Sequence, residues 1–212
     1  MPIHWLRWLF FSLIVRPLTL IVIGLNVRYR ERLPVKGPVI LVANHNSHLD
    51  TLVLMSLFPL KSLSQIHPVA AADYFLRNRW FAWFALNIIG IIPISRKLQA
   101  NMDPFTGVYT ALAKGNILIL FPEGTRGEPE RMSQFKNGIA RLAKNNAEVP
   151  VIPIFLHGLG KSLPKGETLP VPFFCDVFIG NALKWCGNKK EYMQRLDTAI
   201  HNLAAEGNFS QW

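Results

Sequence analysis

Short apolar runs alternate with longer amphipathic stretches along most of this 212-residue chain. The apolar runs are bounded by polar, glycine or proline residues, as strands are, and the stretches between them are long enough for crossover helices. Strands connected in this way are typical of α/β domains. The strands predicted from the pattern are residues 38–43, 68–72, 91–95, 116–121, 149–156 and 173–179. We therefore expect an α/β fold with a mixed sheet flanked by helices.

Two stretches have the spacing of a helix with one apolar face. Between residues 133 and 146 the apolar positions are Phe135, Ile139, Leu142 and Ala143, and near the end of the chain they are Tyr192, Leu196, Ile200 and Leu203. Residues 158–172 are instead rich in proline and glycine. That composition predicts a surface loop.

The N-terminal segment differs from the rest of the chain. Residues 5–25 are mostly apolar, but two arginines and Pro17 interrupt them, so no uncharged run reaches the roughly 18 residues of a spanning helix. Pro17 would kink or end a helix, which predicts two short helical pieces lying in a membrane interface. We expect a monotopic anchor over residues 1–30, on the cytoplasmic face, and one domain over residues 31–212. A cleaved signal peptide and a helix packed on the domain are the competing interpretations.

The charge balance narrows the class of partner. The chain has 23 Lys and Arg residues against 13 Asp and Glu residues, a formal net charge of +10, and half of its residues are hydrophobic. Such a chain favours anionic partners, which include phospholipid headgroups, acidic carriers and nucleic acid. Nucleic acid is disfavoured because the Trp and Phe residues lie in apolar stretches rather than among basic residues. Cys175 and Cys186 have neither metal-ligand spacing nor that of a disulfide framework.

The first candidate for chemistry follows the predicted strand 38–43. It reads Asn44-His45-Asn46-Ser47-His48-Leu49-Asp50, and catalytic groups often cluster at strand ends. If a helix begins here, Asp50 lies in its first turn and can reach back to His45, where it would stabilise one imidazole tautomer. This predicts a His–Asp general-base pair that activates a hydroxyl of the substrate, and a structural histidine is the alternative. His48 is either a partner in the pair or a bystander.

A second candidate follows another predicted strand and reads Phe121-Pro122-Glu123-Gly124-Thr125-Arg126. Gly124 lets a ligand approach the backbone, Arg126 offers a planar fork for phosphate, and Glu123 can orient the arginine or an acceptor hydroxyl. A solvated turn at a strand exit is the alternative interpretation. Arg96, which follows a third apolar strand, is a further candidate phosphate ligand.

Four segments of the chain resemble, in order, the four motifs of the glycerolipid acyltransferase family, which includes lysophosphatidic acid acyltransferases. The matching residues are Asn44, His45 and Asp50 for the first motif, 90–96 for the second, 121–126 for the third and 149–153 for the fourth. A Phe-Lys-x-Gly sequence at residues 135–138 is also similar to the family. The resemblance covers roughly residues 38–158.

The resemblance implies a role for each matched residue. In that family the histidine is the general base and the aspartate supports it, which are roles that fall here on His45 and Asp50. The second and third motifs of the family bind the acceptor phosphate. The residues that the resemblance assigns to substrate binding are Arg96, Glu123, Gly124, Thr125 and Arg126.

The resemblance also implies a reaction. It predicts an acyltransferase domain over residues 31–212 that moves a fatty acyl group from acyl-CoA or acyl carrier protein to the free hydroxyl of lysophosphatidic acid at a membrane surface, giving phosphatidic acid. No metal, no bound cofactor and no nucleic-acid partner is expected. Three alternatives stay open: the same chemistry on a lyso-aminolipid or on glycerol phosphate, a membrane-binding module without activity, and a nucleic-acid binder.

Overall fold

Seven strands form one mixed sheet in the computed structural model, which describes residues 3–95, 103–127, 131–163 and 171–209. The strands are β1 (Ile23–Arg28), β2 (Val39–Ala43), β3 (Ile66–Ala71), β4 (Ile92–Ile94), β5 (Ile117–Leu120), β6 (Val151–His157) and β7 (Phe173–Ile179). Their order across the sheet is β1-β7-β6-β2-β5-β3-β4. Strands β6, β2, β5, β3 and β4 are parallel, whereas β7 is antiparallel to β6 and parallel to β1.

Helices cover both faces of this sheet. The α-helices of the described residues are α1 (Ile3–Phe10), α2 (Leu49–Ser56), α3 (Ala72–Phe75), α4 (Arg79–Phe84), α5 (Thr106–Ala113), α6 (Gly138–Asn145), α7 (Leu159–Ser162) and α8 (Lys189–Glu206). π-helical turns follow α1 at Phe11–Val15 and Leu18–Val22, and another follows α4 at Ala85–Ile89. Short 3-10 turns lie at Arg30–Arg32 and Leu60–Gln65.

The central strand β2 shows how the sheet separates two cores. Val39, Leu41 and Ala43 pack on the face covered by the N-terminal helical segment and α2. Ile40 and Val42 pack on the opposite face, which α5, α6 and α8 cover. All five side chains are buried, which is why β2 reads as a continuous apolar run rather than an alternating one.

The prediction of an α/β fold with a mixed sheet flanked by helices is confirmed. All six predicted strands are present, with ends that differ from the prediction by up to two residues. The helix predicted within 133–146 begins only at Gly138, because Ser133 and Lys136 donate backbone N–H groups to the loop after β5. Helix α8 holds the second apolar series. Helix α7 occupies part of the predicted loop 158–172, and residues 164–170 of that loop lie outside the described residues.

The prediction for the N-terminal segment is wrong in two respects. Pro17 does not end the helix, because the backbone at Arg16 and Pro17 stays right-handed helical and the π-helical turns on either side accommodate the ring. Ile23–Arg28, expected in the anchor, is the edge strand β1 and pairs with β7. A boundary at residue 30 therefore falls after a strand of the sheet. Within the described ranges, no helix combines the length and the hydropathy that a membrane crossing requires.

Candidate active site

The predicted histidine and glutamate follow neighbouring strands. β2 ends at Ala43 and β5 ends at Leu120, and the two strands are parallel, so their carboxyl ends lie at the same edge of the sheet. There the His45 N–H donates to Glu123 Oε1 at 2.7 Å. The N–H of Gly127 donates in turn to the His45 carbonyl oxygen at 2.9 Å. The structure thus brings the two clusters together in one site.

His45 and Asp50 form the predicted pair. His45 Nδ1 lies 2.8 Å from Asp50 Oδ2, and the aspartate side chain is fully buried while the imidazole is 17% exposed. Because an ionised carboxylate only accepts hydrogen bonds, Nδ1 is the protonated ring nitrogen and Nε2 carries the basic lone pair. The backbone N–H groups of Asn46 and Ser47 also donate to Oδ2, at 2.7 and 2.8 Å. These donors hold the buried charge that orients the imidazole.

The loop between β2 and α2 is fixed by further polar contacts. Asn44 Nδ2 donates to the Leu156 carbonyl at 2.8 Å, and the Leu156 N–H donates to Asn44 Oδ1 at 2.7 Å. The Asn44 amide therefore continues the β2–β6 ladder one residue beyond its last pair. Ser47 Oγ accepts from the Leu49 N–H at 3.2 Å and donates to the Leu163 carbonyl at 3.1 Å. The loop is thus tied to the sheet and to the segment after α7.

Phe121 is a site residue to which the motifs assigned no specific role. Its ring stacks on the His45 imidazole with the centroids 4.1 Å apart and the planes at 19°. The contact restrains the imidazole plane while Asp50 restrains its rotation. Its place directly after a strand and at the start of the third motif was the sequence signal for it.

Glu123 connects the loop between β2 and α2 (residues 44–48), called here the site loop, to the chain after residue 130. The side chain is 2% exposed, Oε1 accepts the His45 N–H, and Oε2 accepts the Ser133 N–H at 2.9 Å. Burial raises the pKa of this carboxyl above its ordinary value, and the bonds from Ser133 and His45 oppose that rise. The expectation was that Glu123 orients an arginine or the acceptor hydroxyl. In the structure one of its oxygens holds the backbone of His45 and the other holds that of Ser133.

Basic groups surround the turn after β5. Gly124 has φ of +73°, and a Cβ placed there would lie 2.7 Å from Lys136 Nζ. The Lys136 side chain therefore covers the glycine. The backbone N–H of Lys136 donates to the Pro122 carbonyl at 2.8 Å. Thr125 is exposed and Arg126 partly buried. The lysine adds a cation that the sequence assigned to no role, although it lies in the Phe-Lys-x-Gly segment. Arg96 lies outside the described residues.

His48 is separate from the His–Asp pair. Burial, followed by the charge of Arg126 and then His45, lowers the pKa of His48 to about 4, so its ring is neutral at pH 7. Its Nε2 lies 3.2 Å from Tyr74 Oη, within hydrogen-bond distance. His48 thus links the site loop to α3. The effect of the Arg126 charge on the His48 pKa also indicates that Arg126 is a cation near the site.

The fold and the site together define an α/β domain with a histidine at a strand end. A buried aspartate supports that histidine, and cations lie beside it. A family model described as Acyltransferase matches residues 24–157, which is more than half of the chain. The chain belongs to the acyltransferase family.

Named relatives agree with that assignment. The chain is 34% identical over 171 residues to the 1-acyl-sn-glycerol-3-phosphate acyltransferase of Pseudomonas aeruginosa, which takes in 78% of this chain and 62% of that protein. It is 31% identical over 144 residues to the chloroplastic 1-acyl-sn-glycerol-3-phosphate acyltransferase of Brassica napus, over 67% of this chain and 40% of that protein. The chain thus matches less than half of the length of the plant relative.

A solved structure shares the fold. The 1-acyl-sn-glycerophosphate (LPA) acyltransferase PlsC from Thermotoga maritima superposes with a TM-score of 0.75 and 19% sequence identity. The superposition covers 99% of this chain and 81% of that one. At this identity the likeness establishes the architecture, including the part of the chain before residue 24.

Proposed function

We propose that this chain transfers a fatty acyl group from the thioester of acyl-CoA or acyl carrier protein to the free hydroxyl of lysophosphatidic acid, giving phosphatidic acid. The observation that carries the proposal is the His45–Asp50 pair, 2.8 Å between Nδ1 and Oδ2, at the shared edge of β2 and β5. The names of the relatives in Pseudomonas and Brassica support the same acceptor.

In the proposed reaction His45 acts as a general base. Nε2 takes the proton of the acceptor hydroxyl, and the oxygen attacks the thioester carbonyl carbon. Nearby backbone N–H groups hold the oxyanion of the tetrahedral intermediate. The carbon–sulfur bond then breaks, and the imidazolium returns its proton to the thiolate, so that the enzyme ends as it began. The Asp50 carboxylate stabilises the imidazolium through Oδ2, which two backbone N–H groups hold in place.

The basic groups near the site support a phosphate on the acceptor, because they could bind one. Arg126 lies near enough to His48 to lower the pKa of that ring, and Lys136 covers the Gly124 turn. An arginine fork beside a lysine point charge is a combination that binds phosphate monoesters. We place Arg96 at the same phosphate on the strength of the motif alone.

We also propose that the chain works from one leaflet, at the cytoplasmic face, without crossing the bilayer. The N-terminal helical segment supports this because it exposes Leu20 and Ile21 by 75% and 81%. The net charge of +10 adds attraction to anionic headgroups.

An acceptor panel tests the proposal. Purified full-length chain is given lysophosphatidic acid, a lyso-aminolipid or glycerol 3-phosphate, each with acyl-CoA and with acyl carrier protein as donor. We expect diacyl product with lysophosphatidic acid and none with the lyso-aminolipid, which lacks a phosphate. Transfer confined to another acceptor, or to no acceptor with either donor, would contradict the proposal.

A further inference from the structure

The N-terminal helical segment, residues 3–22, has a buried side and an exposed apolar side. Arg7, Phe11, Val15 and Thr19, spaced four apart, are buried against the domain. The opposite side exposes Trp5, Trp8, Leu13, Ile14, Leu20 and Ile21. A surface helix on a soluble domain would place polar residues on that outer side, whereas an outer side this apolar indicates contact with lipid or protein.

A second apolar surface lies on the segment that contains α4. Its exposed members are Leu76, Trp80, Trp83 and Leu86, and they are called here the 76–86 surface. Trp80 is 77% exposed, and Asn78 caps the helix by accepting the N–H groups of Trp80 and Phe81. Since two tryptophans face outward from a well-capped helix, the surface is part of the fold and not a frayed end.

The two surfaces adjoin. The Phe10 and Phe84 rings meet edge to face with centroids 5.2 Å apart, and Arg7 Nη2 donates to the Ile89 carbonyl at 2.9 Å. Residue 7 of α1 thus meets residue 89, at the end of the π-helical turn after α4, and residue 10 meets residue 84 in α4. The two helical segments therefore run antiparallel. The exposed residues of both helices thus belong to one side of the molecule.

The 76–86 surface is also next to the candidate active site. Tyr74, in α3, lies 3.2 Å from His48 through its hydroxyl and packs its ring against Phe75 and Phe81. Phe81 is the direct neighbour of Trp80 in α4. Aromatic contacts therefore lead from His48 through Tyr74 to Phe81, in the same helix as the exposed tryptophans.

We infer that the 76–86 surface is a second bilayer contact, which holds the rim of the active site against the lipid that supplies the acceptor. Trp together with arginines is the composition of a membrane interface, and here Arg77 and Arg79 precede Trp80. Arg79 Cζ lies 5.9 Å from the Trp80 ring. Anionic headgroups would complement these charges, whereas a second copy of the chain would bring the same arginines toward each other. The bilayer contact stands on the surface itself, and the role in acceptor supply rests on the proposed function.

Vesicle sedimentation tests the contact with the full-length chain. Vesicles of phosphatidylcholine and phosphatidylglycerol are mixed with the wild type, with the Trp80→Gln/Trp83→Gln variant and with Val35→Gln. Val35 is 84% exposed but precedes β2, at the opposite edge of the sheet from the site. We expect the double variant to lose roughly tenfold in partition coefficient and Val35→Gln to match the wild type. Equal partitioning of the double variant and the wild type would overturn the inference.

A single Trp80→Gln variant guards against loss of the fold. Circular dichroism and thermal unfolding compare each variant with the wild type. Because Trp80 is mostly exposed, its replacement is expected to keep the fold and to weaken vesicle binding roughly threefold. A folded Trp80→Gln protein with undiminished binding would count against the inference, whatever happens to the double variant.

Two further readouts separate the alternatives. Sedimentation velocity without lipid is expected to show the same mass for the wild type and the double variant. A wild-type dimer that the double variant dissociates, with vesicle binding unchanged, would assign the surface to a second copy and overturn the inference. The second readout is activity. In the double variant, the rate of acyl transfer to a vesicle-borne acceptor is expected to fall more than the rate of transfer to a short-chain, monomeric acceptor. If the wild type transfers to no acceptor while the double variant still loses vesicle binding, the contact stands and the proposed function fails.

Discussion

The site loop and the N-terminal helical segment use buried charge in opposite ways. In the site loop, the carboxylates of Asp50 and Glu123 accept backbone N–H groups and so hold the residues that carry His45. In the N-terminal segment, the single buried guanidinium of Arg7 donates to the carbonyl oxygens of Ile66 and Ile89, at 2.8 and 2.9 Å. The first arrangement shapes a reactive loop, whereas the second fixes a helix on the sheet.

The Arg7 contact explains a glycine of the second motif. Gly90 has φ of +73°, and a Cβ placed there would lie 2.6 Å from Arg7 Nη1. Burial lowers the pKa of Arg7 to about 10, which still leaves the side chain charged at pH 7. The helical segment is therefore joined to the start of β3 and to the chain before β4. It is part of the domain as well as a candidate lipid contact.

Asp50→Asn should produce the largest effect on the site side of this comparison. The amide oxygen can still accept from His45 Nδ1 and the two backbone N–H groups that now bond Oδ2. It carries no negative charge, however, and so stabilises the imidazolium far less. We expect kcat to fall by roughly 10²–10⁴, the range of general-base catalysis. Steady-state kinetics measures it, with Asp197→Asn on α8 as the control, since Asp197 also lies beside a histidine but is exposed. A loss below about threefold would remove Asp50 from the mechanism.

Arg7→Met should produce the largest effect on the helical side. The buried carbonyl oxygen of Ile66 and the partly buried one of Ile89 would lose their donor. A buried group left without a partner costs roughly 1–3 kcal/mol, and a partly buried one costs less. We expect the free energy of unfolding to fall by about 2–4 kcal/mol, measured by denaturant titration. Arg16→Met is the matched control, because Arg16 makes one longer bond, 3.3 Å to the Phe58 carbonyl. Equal losses of unfolding free energy in the two variants would show that the Arg7 hydrogen bonds make no special contribution to stability.

Glu123→Gln tests whether the glutamate holds the backbone or contacts the acceptor. The amide can satisfy only one of the N–H groups of His45 and Ser133. We expect kcat to fall roughly 10–100-fold with little change in the KM of the acceptor. Glu148→Gln, an exposed glutamate paired with Lys184, is the control. A rise in acceptor KM with kcat unchanged would instead make Glu123 an acceptor ligand.

Arg126→Ala should produce the smallest of these effects. We expect the KM of the acceptor to rise roughly tenfold and that of the donor to stay the same, with partial recovery in Arg126→Lys. The pKa of His48 should also rise from about 4, because the Arg126 charge is one of the causes that lower it. Titration of the ring by NMR measures this shift. Arg195→Ala on α8 is the control, and equal changes for both substrates would exclude a contact with the acceptor phosphate.

Most of the sheet could be predicted from the sequence because its strands are short, apolar and separated by helices. β1 could not, since Ile23–Arg28 continues an apolar run without a break and becomes a strand only by pairing with β7. That pairing joins residues as distant as Asn26 and Asp176. The antiparallel direction of β7 also depends on tertiary contacts rather than on local pattern.

The sequence predicted those parts of the candidate site in which one side chain contacts another. The spacing of His45 and Asp50 indicated their contact, which the structure confirms at 2.8 Å. The position of Glu123 was less informative, because its partners are backbone N–H groups that any residue could supply. Lys136 was missed for a related reason. Its place over Gly124 follows from the extended course of the chain before α6, where a longer helix was expected.

The most direct test of the account is acyl transfer to lysophosphatidic acid by the wild type, His45→Ala and His201→Ala under identical conditions. His201 is a matched control because it lies beside Asp197 on the exposed face of α8. We expect product formation by the wild type and by His201→Ala, and a loss of roughly 10²–10⁴ or more in the rate for a folded His45→Ala protein. A folded His45→Ala protein that turns over at the wild-type rate would contradict the role of His45 as general base.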